Sequence, residues 1–241
     1  MIEALDYFRE LTTFSVLLRM AMATVLGGLI GLDRGKKRRA AGFRTHILVC
    51  LGAVLSMLLG QYNCVMLGNE WSALATEIGV KTDISRMGAQ VINGIGFLGA
   101  GTIIVTKRQE VKGLTTAAGL WASACAGLAI GAGFYECVLV AFLLIIIVIR
   151  CLPYVEGIVV NNARNMNFYV DFASLDDLGK IIAHIKEQNV HIYEVDIDHG
   201  RNNSTQRPNA VFSIRLKQKR AHIQVLTAIA ELGCIYSIEE I

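Results

Sequence analysis

The chain has 241 residues, 54% hydrophobic and 18% charged, with a net charge of +3 and a mean hydropathy of +0.48. That is too apolar for a water-soluble globule of this size, so the excess must meet lipid. The basic residues cluster beside apolar runs rather than along a stripe, which argues against a nucleic-acid partner and for membrane lipids with an anionic surface.

The first thirteen residues carry Glu3, Asp6 and Glu10 against Arg9, the wrong sign for a cleavable signal peptide, so the first apolar run is expected to stay as an anchor. A spanning helix needs roughly 20 mostly apolar residues. Five stretches qualify: Phe14 to Leu32, His46 to Leu67, Met87 to Thr106, Leu114 to Gly131, and Phe134 to Leu152. The loop after the first holds Arg34, Lys36, Lys37, Arg38, Arg39 and Arg44 against Asp33, and short basic loops stay inside. Alternate crossing puts the N-terminus outside, a second basic loop with Lys107, Arg108 and Lys112 inside, and the rest of the chain in the cytoplasm.

Small residues four apart let helix backbones approach in lipid. Gly27 with Gly31 and Gly127 with Gly131 fit that spacing, and the third span is denser still, with Gly88, Gly94, Gly96, Gly99 and Gly101. Such a run serves packing, or a thinned or broken helix lining a polar cavity beside Gln90 and Asn93. Arg19, Asp83, Arg86 and Glu136 fall at one depth near the outer surface, where they are expected to form a polar cluster or ordinary interfacial ion pairs.

After Pro153 the periodicity changes. Met166, Phe168, Val170 and Phe172 alternate as a strand, and Ser174 with Asp177 opens a helix with Leu175, Leu178, Ile181, Ile182 and Ile185 on its core face. Val190, Ile192, Val195 and Ile197 predict a second strand with a register break near Tyr193. The polar loop His199 to Asn209 leads to a third strand with Ala210, Phe212, Ile214 and Leu216. A helix carrying Ile223, Leu226 and Ile229 stops at Gly233, before a last strand from Cys234 to Ile241. The order βαββαβ predicts a ferredoxin-like, ACT-like α+β domain at 153–241 behind an α-helical transmembrane bundle at 1–152.

Six cysteines (Cys50, Cys64, Cys125, Cys137, Cys151, Cys234) lack metal or redox spacing and read as small buried hydrophobes. His184, His191 and His199 lack ligand spacing, so they read as surface histidines. Nucleophile–base motifs, phosphate loops and metal constellations are absent from the sequence, and no cofactor or metal is expected.

Gly31-Leu-Asp33-Arg34, Ala41-Gly42-Phe43-Arg44-Thr45, Asp83-x-x-Arg86-x-x-x-Gln90, the Gly94 to Gly101 run, and Gly113-Leu-Thr-Thr-Ala-Ala118 with Trp121 together resemble the MgtC/SapB family of bacterial inner-membrane proteins, over almost all of Thr24 to Gly133. The family commonly has Glu at the Asp33 position and Leu at the Phe43 position, and both departures keep the chemical character. The resemblance implies a multi-span domain and, in longer members, a cytoplasmic ACT-like tail. It also ties such proteins to magnesium limitation, virulence inside host cells, membrane potential and restraint of the F-type ATP synthase. On that footing the expected function is a non-enzymatic inner-membrane regulator. Its partners would be lipids, a membrane protein such as the ATP synthase, and a homo-oligomer. The alternative is a cation (Mg²⁺) transporter or oligomeric channel using Asp83. Asp33, Arg34 and Arg44 would organise the cytoplasmic mouth, with Asp83, Arg86, Gln90 and Asn93 as polar contacts along the third helix.

Overall fold

Lipid offers no partners to backbone N–H and C=O groups, so apolar runs of this length fold as helices. The computed structural model describes residues 7–37, 39–79, 83–106, 111–161, 163–188, 190–198, 208–217 and 222–240. Two units separate at Met1–Leu152 and Pro153–Ile241.

In the first unit, α1 runs Thr13–Lys36, α2 Phe43–Gly68, α3 Ser72–Ile78 and α4 Ile84–Gly101. A ribbon pairs β1 (Ile104–Val105) with β2 (Val111–Lys112), and then come α5 (Leu114–Ala132) and α6 (Tyr135–Arg150); α7 (Leu152–Asn161) starts at the unit boundary and lies almost wholly in the second unit. Lys112 thus sits on the ribbon, while Lys107 and Arg108 lie outside the described residues, as does Arg38 of the first basic loop. Thr12 caps α1 by accepting the Ser15 amide at 3.2 Å, and Asp83 caps α4 by accepting the Ser85 amide at 3.0 Å, each satisfying a free N-terminal donor. At the start of α5, Gly113 has φ +103°, and a Cβ there would collide with the Thr102 carbonyl, so the turn needs glycine.

Among the described residues, four helices are long and apolar enough to cross a membrane: Thr13–Lys36, Phe43–Gly68, Leu114–Ala132 and the run Tyr135–Val159. Of the five expected stretches, four meet that measure. The difference is the third expected span, whose helix α4 has 18 residues and dilutes its apolar content with Arg86, Gln90, Asn93 and glycines. Yet α4 lies flat along α5. A Cβ on Gly88 would stand 3.9 Å from Leu128 and one on Gly99 3.6 Å from Ala117, an antiparallel register held over most of both helices. At roughly 1.5 Å per residue α4 is about 27 Å long, close to the hydrocarbon thickness of about 30 Å.

The other helices meet at glycines. A Cβ on Gly27 would fall 2.9 Å from the Cys50 Cβ and one on Gly31 2.9 Å from the Phe43 Cα, which makes α1 and α2 a close antiparallel hairpin. A Cβ on Gly127 would fall 2.7 Å from the Ala53 Cβ and one on Gly131 2.7 Å from the Met57 Cβ, so α5 runs parallel to α2. Ala23, Leu26, Cys50, Val54, Leu58, Ile130 and Val138 fill the core between these helices.

The second unit places β3 (Asn165–Phe172), a 3₁₀ turn (Leu175–Asp177), α8 (Leu178–Glu187), β4 (Val190–Asp198), β5 (Asn209–Leu216), α9 (His222–Ala230) and β6 (Ile235–Glu240) in chain order. The sheet order is β4-β5-β3-β6, with each neighbouring pair antiparallel. Alternate residues of β3 and β5 point to one face, where Met166, Phe168, Val170, Phe172, Ala210, Phe212, Ile214 and Leu216 are buried against Ile181, Ile185, Val225 and Ile229. Phe168 stacks on Phe212 with ring centroids 5.3 Å apart. The β4 register shifts between Ile192 and Glu194, so Tyr193 sits in the bulge. Leu175 and Ile223 are exposed rather than in the core. The first belongs to the 3₁₀ turn, which has a different helical phase, and α9 buries His222, Val225 and Ile229 instead. Residues 199–207 of the polar loop lie outside the described residues.

Candidate functional site

Arg19 lies on α1 one turn from both Ser15 and Ala23, and all three are fully buried. Its Nε donates to the Tyr135 hydroxyl at 3.1 Å, and Nη1 donates to Gln61 Oε1 at 3.0 Å and to the Gly131 carbonyl at 2.8 Å. Nη2 donates to the carbonyls of Phe8 at 3.2 Å and Arg9 at 2.8 Å. The fork geometry of a guanidinium allows five donors, and here they join the N-terminal segment, α1, α2, α5 and α6. The expected cluster of Arg19 with Asp83, Arg86 and Glu136 does not form. Glu136 binds Arg9 at 2.7 and 2.9 Å, and the Asp83 carboxylate turns to its own helix, bonding the Ser85 amide and hydroxyl.

At the opposite end, the Asp33 carboxylate holds Arg34 at 2.7 Å and Lys37 at 3.3 Å. Arg34 is buried, and its Nε is without a hydrogen-bond partner among the described residues. His46, fully buried one turn into α2, donates Nδ1–H to the Gly42 carbonyl at 2.8 Å. Its Nε2 faces Gly119, where a Cβ would stand 3.1 Å away. Lys36, Arg39 and Arg44 are exposed near this end.

On α4 the polar residues turn outward. Arg86, Gln90 and Asn93 are exposed, whereas Ile95 is buried against the bundle. Gly94, Gly96 and Gly101 have no atom within 4 Å of where a Cβ would sit. Gly99 contacts Ala117, and Gly27, Gly31, Gly127 and Gly131 occupy the tight helix crossings described above. The helix is continuous from Ile84 to Gly101, so its glycines thin its surface without breaking it.

Among the described residues, no group of three or more His, Cys, Asp or Glu side chains could hold a metal ion. His184 contacts the Ala228 carbonyl at 3.1 Å, His191 packs beside Tyr193, and His199 lies outside the described residues. In the tail His222 is buried, with Nδ1 on Glu240 and Nε2 on the Ala163 carbonyl at 2.9 Å. Gln61, Tyr135, His46 and His222 escaped the sequence reading. A histidine inside an apolar span is a signal that could have marked His46.

Apolar helices crossing at glycines around a buried, fully donated arginine, in one chain with a separate sheet-bearing unit, define a multi-span membrane protein. The MgtC family pattern matches residues 20–158, more than half of the chain. An uncharacterized protein of Haemophilus influenzae is 36% identical over 169 residues, 68% of this chain and 67% of that protein. Protein SapB of Bacillus subtilis is 31% identical over 186 residues, 76% of this chain and 77% of SapB. "Putative magnesium transporter YhiD" of Escherichia coli K12 is 38% identical over 124 residues, 52% of this chain, and the match spans about half, 54%, of YhiD. The chain belongs to the MgtC/SapB family. No solved structure matches it.

Proposed function

We propose that this chain is a non-enzymatic regulator of the bacterial inner membrane that serves adaptation to low magnesium through contacts with a membrane protein. Family membership supports the magnesium link, as does the name carried by the YhiD relative. The observation that carries the regulator reading is the outward placement of Arg86, Gln90 and Asn93 on α4. A carrier lines a path between its helices with such groups. Polar groups on the outside of a bundle instead serve recognition in the plane of the membrane. The F-type ATP synthase is the partner that the family resemblance implies, with membrane potential as the quantity regulated.

In this reading the tail lies in the cytoplasm. Support comes from the basic mouth around Asp33 and from α4 lying beside α5 at membrane depth, which makes the crossings odd in number. The chain order β-α-β-β-α-β and the sheet order β4-β5-β3-β6 support a ferredoxin-like, ACT-like docking module.

The second reading, a Mg²⁺ transporter or oligomeric channel, is favoured by the name of YhiD. Flux into liposomes separates the two. The full chain is expected to pass no more Mg²⁺ than empty liposomes and to co-purify with ATP synthase subunits from membranes. Mg²⁺ flux abolished by Asp83→Asn, which removes the charge while keeping a capping side chain, would overturn the regulator reading.

A further inference from the structure

We propose that α4 is the contact face of a parallel two-fold homodimer, in which Phe97 of each copy enters the groove between α2 and α4 of the other. Phe97 is 83% exposed, more than the other exposed large hydrophobic residues among those described. Beside it opens a groove of about 500 Å³, lined by Gly52 and Ser56 from α2 and by Val91, Ile95 and Leu98 from α4. At about 100° per residue, Gln90, Gly94 and Gly101 lie between Phe97 on one flank and the groove residues on the other. A helix pair closes two-fold in that arrangement, because the knob on one flank meets the hole on the other and the glycines face each other at the axis.

Depth supports the same occupant. Two copies inserted with one orientation are related by rotation about the membrane normal, so each residue meets groups at its own level. Phe97 lies level with Ile95 and Leu98, which line the hole. Gln90 and Asn93 each carry a donor and acceptors, so an amide can pair with its own copy. At the helix start the exposed Asp83 and Arg86, about one turn apart, carry opposite charges, and the long Arg86 side chain of one copy can reach Asp83 of the other. A lipid chain in the groove would leave these amides in hydrocarbon without partners, at a cost that membrane proteins avoid.

This inference rests on reading α4 as a contact face, and the experiment separates their failures. The full chain, labelled at its C-terminus, is reconstituted in liposomes, and energy transfer between copies is followed as lipid dilutes the protein. The wild type is expected to form dimers, and Phe97→Ala and Gly94→Leu are each expected to weaken them about tenfold. Gly96→Leu, equally open but off the proposed face, should leave the dimer unchanged. Because Gly94 has open surroundings in the single chain, its variant should keep the thermal unfolding profile of the wild type. A monomeric wild type at every dilution, or energy transfer that neither face variant alters, overturns the dimer. If these variants instead abolish co-purification of another membrane protein, the dimer falls while the contact-face reading stands.

Discussion

Arg19 on α1 donates its Nη1 to the Gly131 carbonyl at 2.8 Å, across 112 residues of sequence. Gly131 lies in the last turn of α5, where carbonyls lack partners within their helix and the helix dipole favours a cation. The same carbonyl accepts Gln61 Nε2 at 3.1 Å. Arg19 therefore works as a C-terminal cap built from a neighbouring helix.

Removing it should loosen several elements at once. Hydrogen bonds to a charged group contribute about 1.5–3 kcal/mol each, so Arg19→Ala should cost at least about 3 kcal/mol. Arg19→Lys should recover part of that loss, since an ammonium has three donors and no fork. Unfolding of the purified chain in detergent, with the level of protein in membranes as a second readout, checks both.

Gly127 and Gly96 should answer differently to the same methyl group. Gly127→Ala places a Cβ 2.7 Å from that of Ala53 and should destabilise by about 1–3 kcal/mol through overpacking. Gly96→Ala meets open space and should be neutral or stabilise by roughly 0.5–1 kcal/mol through backbone entropy. Paired melting curves decide, and equal losses would contradict the packing described.

Burial of His222 works against its charged form, but the Ala163 carbonyl and then the Glu240 carboxylate outweigh it and hold the pKa above the ordinary 6.5. With both ring nitrogens on acceptors, the imidazolium bonds to both. A folded pKa above the unfolded one gives stability that is full below the unfolded value and lost as pH rises through the folded value. The protection of β6 and α9 against hydrogen exchange in the full chain, corrected for intrinsic exchange at each pH, should therefore be greater at pH 6 than at pH 8.5. His222→Gln should flatten the difference.

Much of the tail was legible because a period of two is unambiguous when one face is buried. Met166, Phe168, Val170 and Phe172 announce β3, and the broken alternation at Tyr193 announces its bulge. The buried face of α9 was harder to read, since a 3.6-residue period tolerates a one-residue shift and Ile223 yielded to His222. Arg19 could be seen as costly at its depth, but its partners are mostly distant backbone carbonyls, which carry no sequence signature. The glycines of α4 and α5 look alike in sequence. Contacts with the neighbouring helices separate Gly127 and Gly131, which are enclosed, from Gly94 and Gly101, which are open.

Whether α4 crosses decides the side of the tail. With the basic loop inside, an alkaline phosphatase fused after Asn69 should be active, and with α4 crossing, a fluorescent protein fused after Ile241 should mature in the cytoplasm. Phosphatase activity from a fusion after Ile241 would place the tail outside and remove α4 from the spans.

The central claim is a membrane regulator that matters when magnesium is scarce. Its most direct test compares a strain lacking this chain with its parent in low and high magnesium, with growth and membrane potential measured in both. A growth defect and a shifted potential confined to low magnesium, and reversed by the full chain, are the predicted result. Identical growth and potential of the two strains in both media would contradict it.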